Sequence, residues 1–253
     1  MSDGALACAM LAVLFVGLAA AGALRAARYC SALIDLRGPR AELRRALPGL
    51  RTGDLILFVG ADGPSAASLL AGTFFSHAGV VVRPGGQGCV WLAESAPAAR
   101  LAHAGHARRP GAALSPLRPR LSSYLGRCYV SVLQPALGAS AAARLEAEAL
   151  GLCGREAYPT LAHLAASVCG ARLGPRHCFQ HAHHLLRTAG LLDGEPGPLE
   201  ACRAVCALPG RALAGGRAYA APRLLVEPAE PAPSPAEATE PPGAQKAARP
   251  SPR

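Results

Sequence analysis

Lysine is all but missing from this chain: of 253 residues only Lys246 is one, although lysine and arginine together number 26. The net charge of +10 is therefore an arginine charge. It comes with abundant alanine, 28 glycines and 23 prolines, the combined bias that GC-rich coding imposes, so it says little about partners. Aromatic residues make up 4% of the chain and nowhere interleave with a basic run, so no nucleic-acid surface is expected. Neither CxxC nor HExxH occurs, which removes the common zinc frameworks. Cysteines number nine, an odd count without the close pairs of a small secreted scaffold, so a reducing compartment is the default. Cys202 and Cys206 lie four apart on an expected helix, a spacing that does not by itself close a disulfide. The cysteines other than Cys178 read as small buried apolar residues.

What is present is organised around Thr52 to Glu94. Asp54 to Val59 is a short apolar run entered by Thr-Gly-Asp and left by Gly60, which predicts a core strand. Pro64 to Gly72 predicts a helix with a first-turn proline. A second apolar run, Ala78 to Val82, follows Ser76-His77, so the imidazole stands at the mouth of a hydrocarbon strand and needs a polar partner. The third run, Val90 to Ala93, ends in Glu94, and neighbouring strands can bring that carboxylate beside the His77 ring. An imidazole held by a carboxylate is half of a nucleophilic site. The other half is offered downstream. From Cys178 to Gly190 the positions Phe179, Ala182, Leu185, Leu186 and Ala189 recur at helical spacing, so Cys178 opens a helix. Unpaired backbone N–H groups at a helix start favour a thiolate.

His177, His181 and His184 recur at spacings of four and three beside Cys178. A zinc site is one reading, a solvated rim of the cleft the other, and His181 is a reserve base should His77 not serve. His103 and His106 have a spacing metals use on a helix but no accompanying Cys or acid, so no metal is assigned.

The ordered set resembles the permuted branch of the NlpC/P60 papain-like superfamily, and within it the poxvirus members. The residues that carry the likeness are His77-Ala78-Gly79, Leu92-Ala93-Glu94-Ser95, Pro119 to Val132, Gly154 to Tyr158 and Cys178-Phe179 to Leu191, over roughly Arg51 to Leu192. The resemblance implies an α+β fold, a papain-like antiparallel sheet with packed helices in rotated chain order. It implies a cysteine hydrolase or acyltransferase with Cys178 as nucleophile, His77 as base and Glu94 as the group that fixes the ring, and no cofactor. Tyr158, at the family's tyrosine position, and Gln180 are the oxyanion or substrate candidates. Many bacterial relatives carry a small polar residue and a Glu after the cysteine, whereas this chain has Phe179 and Gln180, which bears on substrate more than on fold. The substrate class implied is an amide or ester, with lipid-linked acyl groups among those the superfamily handles. The other reading is a catalytically silent viral binding protein that retains the fold.

Around this core the chain divides into an N-terminal segment, residues 1–30, a connector, 31–50, the domain proper, 51–226, and a tail, 227–253. Ala5 to Leu24 is free of charge and long enough to cross a bilayer, with Arg25 and Arg28 following it. The positive-inside rule makes it a single-pass anchor with the body in the cytoplasm, which the poxvirus likeness would make that of an infected cell. A cleaved signal and a buried helix are the rival readings, the basic n-region of a signal peptide being absent. Arg37, Arg40, Arg44 and Arg45 then face either lipid head groups or solvent. Further helices are expected at Pro119 to Gly126, at Ala139 to Cys153 from a cap near Ser140, at Pro159 to Cys169 and at Leu199 to Leu208. Strands are expected at Cys128 to Leu133 and, as a final edge segment, at Tyr219 to Val226. The Pro, Ala and Glu tail from Glu227 is expected to be disordered.

Overall fold

The structure, a computed structural model, describes residues 40–60, 68, 71–85, 88–97, 110–160 and 175–226, together with the isolated positions 17 and 20. The expected span at Ala5 to Leu24 lies, those two positions apart, outside the described residues. So do His103, His106, the tail, nearly all of the Pro64 to Gly72 helix and, apart from Pro159 and Thr160, the helix expected at Pro159 to Cys169. Among the described residues no helix is long and apolar enough to cross a membrane.

The architecture is α+β, a mostly antiparallel sheet with packed helices. Strands β1 (Arg40–Glu42), β2 (Leu55–Gly60), β3 (His77–Val82), β4 (Trp91–Ala96), β5 (Gly111–Pro116), β6 (Gly126–Ser131) and β9 (Arg223–Val226) form one sheet in the order β1-β9-β6-β2-β3-β4-β5. All of these pairings are antiparallel except β1 with β9, which is parallel. A second ladder joins β7 (Leu133–Gln134) to β8 (Ala218–Tyr219). The helices are α1 (Leu43–Ala46), α2 (Leu117–Ser122), α3 (Ala139–Leu152), α4 (Cys178–Thr188) and α5 (Pro198–Cys206).

Strands β2 and β3 are apolar on both sides because both sheet faces are covered. Leu55, Leu57, Val59, Ala78, Val80 and Ala93 face the larger core with Phe179, Ala182, Leu185 and Leu186 of α4 and Val205 of α5. Ile56, Phe58, Val81 and Leu92 face a smaller core with Leu43 of α1 and Leu117 and Leu121 of α2. The Thr-Gly-Asp entry to β2 is a staple: the Asp54 carboxylate accepts from the Arg51 and Leu133 backbone N–H groups at 2.7 and 2.9 Å. Gly53 has φ 100°, and its carbonyl accepts from the Tyr219 hydroxyl at 2.5 Å. A side chain here would be strained in φ and would place its Cβ 2.8 Å from Leu137 Cδ1.

Three expectations change in detail. Strand β9 is interior, lying between β1 and β6, not at an edge, because Arg40–Glu42 pairs outside it. Residues 40–50, read as connector, thus supply a strand and two short helical turns to the folded body, with Leu43 and Leu50 buried. Helix α3 is capped from Gly138, without a side-chain bond, so Ser140 stands inside it.

Candidate functional site

Cross-strand register assembles the first part of the site. Val80 pairs with Ala93 and Phe58 pairs with His77, which puts Glu94 opposite Gly79 and diagonally across from His77 on one sheet face. His77 Nε2 is 2.7 Å from Glu94 Oε2, with both side chains buried. Ser76 fixes the start of β3 by accepting from the Gly60 N–H at 3.1 Å and donating to the Phe58 carbonyl at 3.3 Å. The His77 ring stands 5.1 Å from the Phe58 ring, centroid to centroid. Glu94 lies inside β4 rather than at a strand end, and it is fully buried, because β5 extends the sheet beyond it.

The carboxylate has a second partner that sequence reasoning missed. Arg120 of α2 donates from Nε to Glu94 Oε1 at 2.6 Å and from NH2 to Oε2 at 3.0 Å, a two-pronged pair at 1% and 0% exposure. Its guanidinium also lies 5.3 Å from the centroids of Phe58 and Tyr124. A signal existed: in LRPRL, Arg120 falls on the same helical face as Leu117 and Leu121, and a charge in an apolar stripe demands a buried counter-charge. Burial works against ionisation of Glu94, but the hydrogen bond and charge of His77 and the charge and hydrogen bonds of Arg120 outweigh it and lower its pKa to about 2. Burial likewise opposes the Arg120 charge, and Glu94 more than restores it.

Helix α4 opens at Cys178, as its periodicity requires. His177 is the N-cap: its Nδ1 accepts from the Phe179 N–H at 3.2 Å, while its own N–H points at Gln180 Oε1 at 3.5 Å. The start of α4 is pinned beside Glu94, since the next residue, Ser95, donates from Oγ to the Arg176 carbonyl at 2.9 Å. Cys178, 6% exposed, belongs to the core that also holds Ala78, the neighbour of His77. His77 and Glu94 themselves face the Phe58 and α2 side. The core that holds Cys178 and the buried His77–Glu94 pair thus belong to the two faces of the sheet, with His77 the first residue of β3.

Gln180, a substrate candidate by resemblance, is occupied in the cap, its Nε2 donating to the Pro196 carbonyl at 3.3 Å. Tyr158 is half-buried, its backbone N–H donating to the Pro110 carbonyl at 3.2 Å. The segment from Gly154 to Tyr158 acts on α4 through Glu156 instead. That carboxylate accepts from the Arg176 backbone and side chain at 3.2 and 2.9 Å and faces His181 Nδ1 at 3.2 Å. Burial raises the Glu156 pKa, but His181 and Arg176 together leave it lowered.

The histidines do not form the solvated rim expected of them. His177, His181 and His183 are buried, and the three residues weighed as zinc ligands each have a separate partner. His177 Nε2 meets the Pro198 carbonyl at 3.2 Å, His181 meets Glu156, and His184 Nε2 meets Glu148 at 2.7 Å. Among the described residues no group of three His, Cys, Asp or Glu side chains is arranged to hold a metal. Burial, with the nearby His77 charge adding to it and the Pro198 carbonyl opposing, lowers the His177 pKa to about 4. Of the other cysteines, Cys89 is exposed and Cys153 half-buried, contrary to the buried apolar reading, while Cys128, Cys202 and Cys206 follow it. Cys202 and Cys206 form no disulfide; their thiols are hydrogen-bonded to one another, which together with burial drives the Cys202 pKa upward.

No protein-family model matches the chain, and no curated protein matches it.

Proposed function

We propose that this chain is a thiol hydrolase or acyltransferase of the permuted NlpC/P60 papain-like kind, acting on an amide or ester through an acyl-Cys178 intermediate. The observation that carries the reading is the buried 2.7 Å pair of His77 Nε2 with Glu94, beside which Ser95 pins the start of the Cys178 helix. With Nε2–H donated to the carboxylate, Nδ1 is the unprotonated ring nitrogen and is the atom assigned here to the thiol proton. Transfer of that proton gives a thiolate, which adds to the acyl carbon; His77 returns the proton to the departing amine or alcohol. The resulting thioester is resolved by water or by an acceptor nucleophile. The Cys178 backbone N–H, at the first turn of α4, is the donor assigned to the developing oxyanion. Within this proposal the apolar stretch Ala5 to Leu24 is a membrane anchor, which would favour lipid-linked acyl groups.

A second reading is favoured by burial: His77 and Glu94 are 1% and 0% exposed and Cys178 6%, values that also suit a binding protein keeping the fold without the chemistry. Intact-mass analysis after incubation with activated acyl esters separates the two. The enzyme reading expects a single acyl adduct on the Cys178 peptide, lost in Cys178→Ala and slowed about a hundredfold or more in His77→Ala, a general base contributing about 10² to 10⁴ in rate. Acylation spread over several cysteines and indifferent to His77 would favour the binding reading.

A further inference from the structure

Arg120 is the bulkiest of the fully buried side chains among the described residues, and neither the resemblance nor the triad chemistry gives it a task. Counting charges does. With His77 as an imidazolium, His77, Glu94 and Arg120 together carry a net charge of one positive unit; without Arg120 they carry none. A thiolate at Cys178 brings the first set to zero and would leave the second with an unbalanced buried negative charge, which a low-dielectric interior penalises.

We propose that Arg120 is a positioning residue of the thiol site: it turns Glu94 toward His77 and supplies the positive charge that balances a Cys178 thiolate against a His77 imidazolium. The inference rests on the thiol-hydrolase reading. No proton is exchanged with solvent in this step; the Cys178 S–H proton moves to the His77 ring, the sulfur keeps the bonding pair, and Arg120 stays protonated throughout. The geometry suits the role. The two-pronged contact at 2.6 and 3.0 Å fixes both carboxylate oxygens, one of which is the oxygen that meets His77. The rings of Phe58 and Tyr124 pack against the guanidinium, and α2 carries it on its buried face. The other titratable groups around the set are Cys128 of β6 and Tyr124 after α2, both of which interact with Arg120, and His177 at the start of α4, which interacts with His77. Cys202 of α5 interacts with Cys178 itself. Burial pushes the Cys128 thiol up to about 12, so it does not supply the balancing negative charge at neutral pH.

The test is alkylation of the full-length chain with dilute iodoacetamide over a pH series, read at the Cys178 peptide by mass spectrometry. The variants are Arg120→Lys, Arg120→Met, Glu94→Gln and the double variant Glu94→Gln/Arg120→Met, with thermal melts to confirm folding. Arg120→Met is expected to slow Cys178 alkylation at pH 7 by about tenfold or more and to move the profile at least about one pH unit upward, one unit being a factor of ten. Arg120→Lys keeps the charge and should shift it less. The double variant restores the charge count, because His77 alone then supplies the positive unit, and it leaves no buried ion alone. Its profile should return toward that of wild type. A wild-type profile in Arg120→Met, or a double variant shifted as far as the single one, overturns the inference while an acidic, His77-dependent wild-type profile leaves the thiol reading standing. Should Arg120→Met not fold, the double variant is read against Glu94→Gln, which lacks the same carboxylate: a profile identical to that of Glu94→Gln overturns the inference. An ordinary profile in wild type itself overturns the thiol reading and this inference with it.

Discussion

Glu94 is where most of the site's electrostatics converge. It is a fully buried carboxylate that stays charged because an imidazole and a guanidinium both hold it. Replacing it by Leu leaves Arg120 as an uncompensated buried cation, and we expect a loss of about 3–5 kcal/mol in urea unfolding. Acid should act on the same chemistry. The folded His177 pKa, about 4, lies below its ordinary 6.5, so the folded state binds fewer protons and stability present above pH 6.5 is lost as pH falls toward 4. Glu94 contributes in the next window, its stabilisation present above pH 4.5 and lost as pH falls toward 2. Asp54 opposes this, because burial raises its pKa and favours the protonated form. Melting temperature is accordingly expected to fall in two stages between pH 6.5 and 2, and a flat profile from pH 6.5 to 4 would mean that His177 is not held neutral. At this scale the sequence was readable where chemistry and pattern coincided. His77 before an apolar run and Glu94 after one were both visible, whereas Arg120 was hidden among many arginines by the compositional bias and stood out only through its place between Leu117 and Leu121.

Among the elements, β3 and β4 do the positioning, and Gly79 shows how tightly. A Cβ there would lie 2.7 Å from Leu92 Cδ1, 2.9 Å from its Cγ and 3.1 Å from the Ala93 carbonyl oxygen. Leu92 is fully buried and has little room to yield. Gly79→Ala is therefore expected to cost about 1–3 kcal/mol and, by moving β4 relative to β3, to weaken the His77 and Glu94 contact; equilibrium denaturation checks the first and the His77 ring titration by NMR the second. The glycine two residues after the histidine is thus explained by packing. Strand and helix positions were largely legible, since apolar runs of four to eight residues and a 3.6-residue period mark them directly. What was not legible was pairing. That Arg40–Glu42 would close on β9, and so make β9 interior, depends on a contact between residues more than 180 apart, for which strands of three and four residues leave no periodic trace. The histidines of α4 failed for a related reason: their common helical face was readable, but not the separate partners, Pro198, Glu156 and Glu148, that bury or hold them.

Across the whole molecule, groups far apart in sequence are arranged about the sheet: His77 and Glu94 pair within it, Arg120 joins them from the helix on one face, and Ser95 holds the residue before the N-cap of the Cys178 helix on the other. The order His, Glu, Cys was legible because each residue opens or lies in a recognisable element, while the sidedness of the sheet, which assigns Cys178 and His77 to different faces, emerged only from register. On the proposed function these parts make an activated thiol. That is tested most directly by the pH dependence of iodoacetamide labelling at Cys178 in the wild-type chain and in His77→Ala. An apparent pKa well below the roughly 8.5 of a free thiol is expected, moving up toward that value when His77 is removed. Labelling with an ordinary thiol profile that does not change in His77→Ala would contradict it.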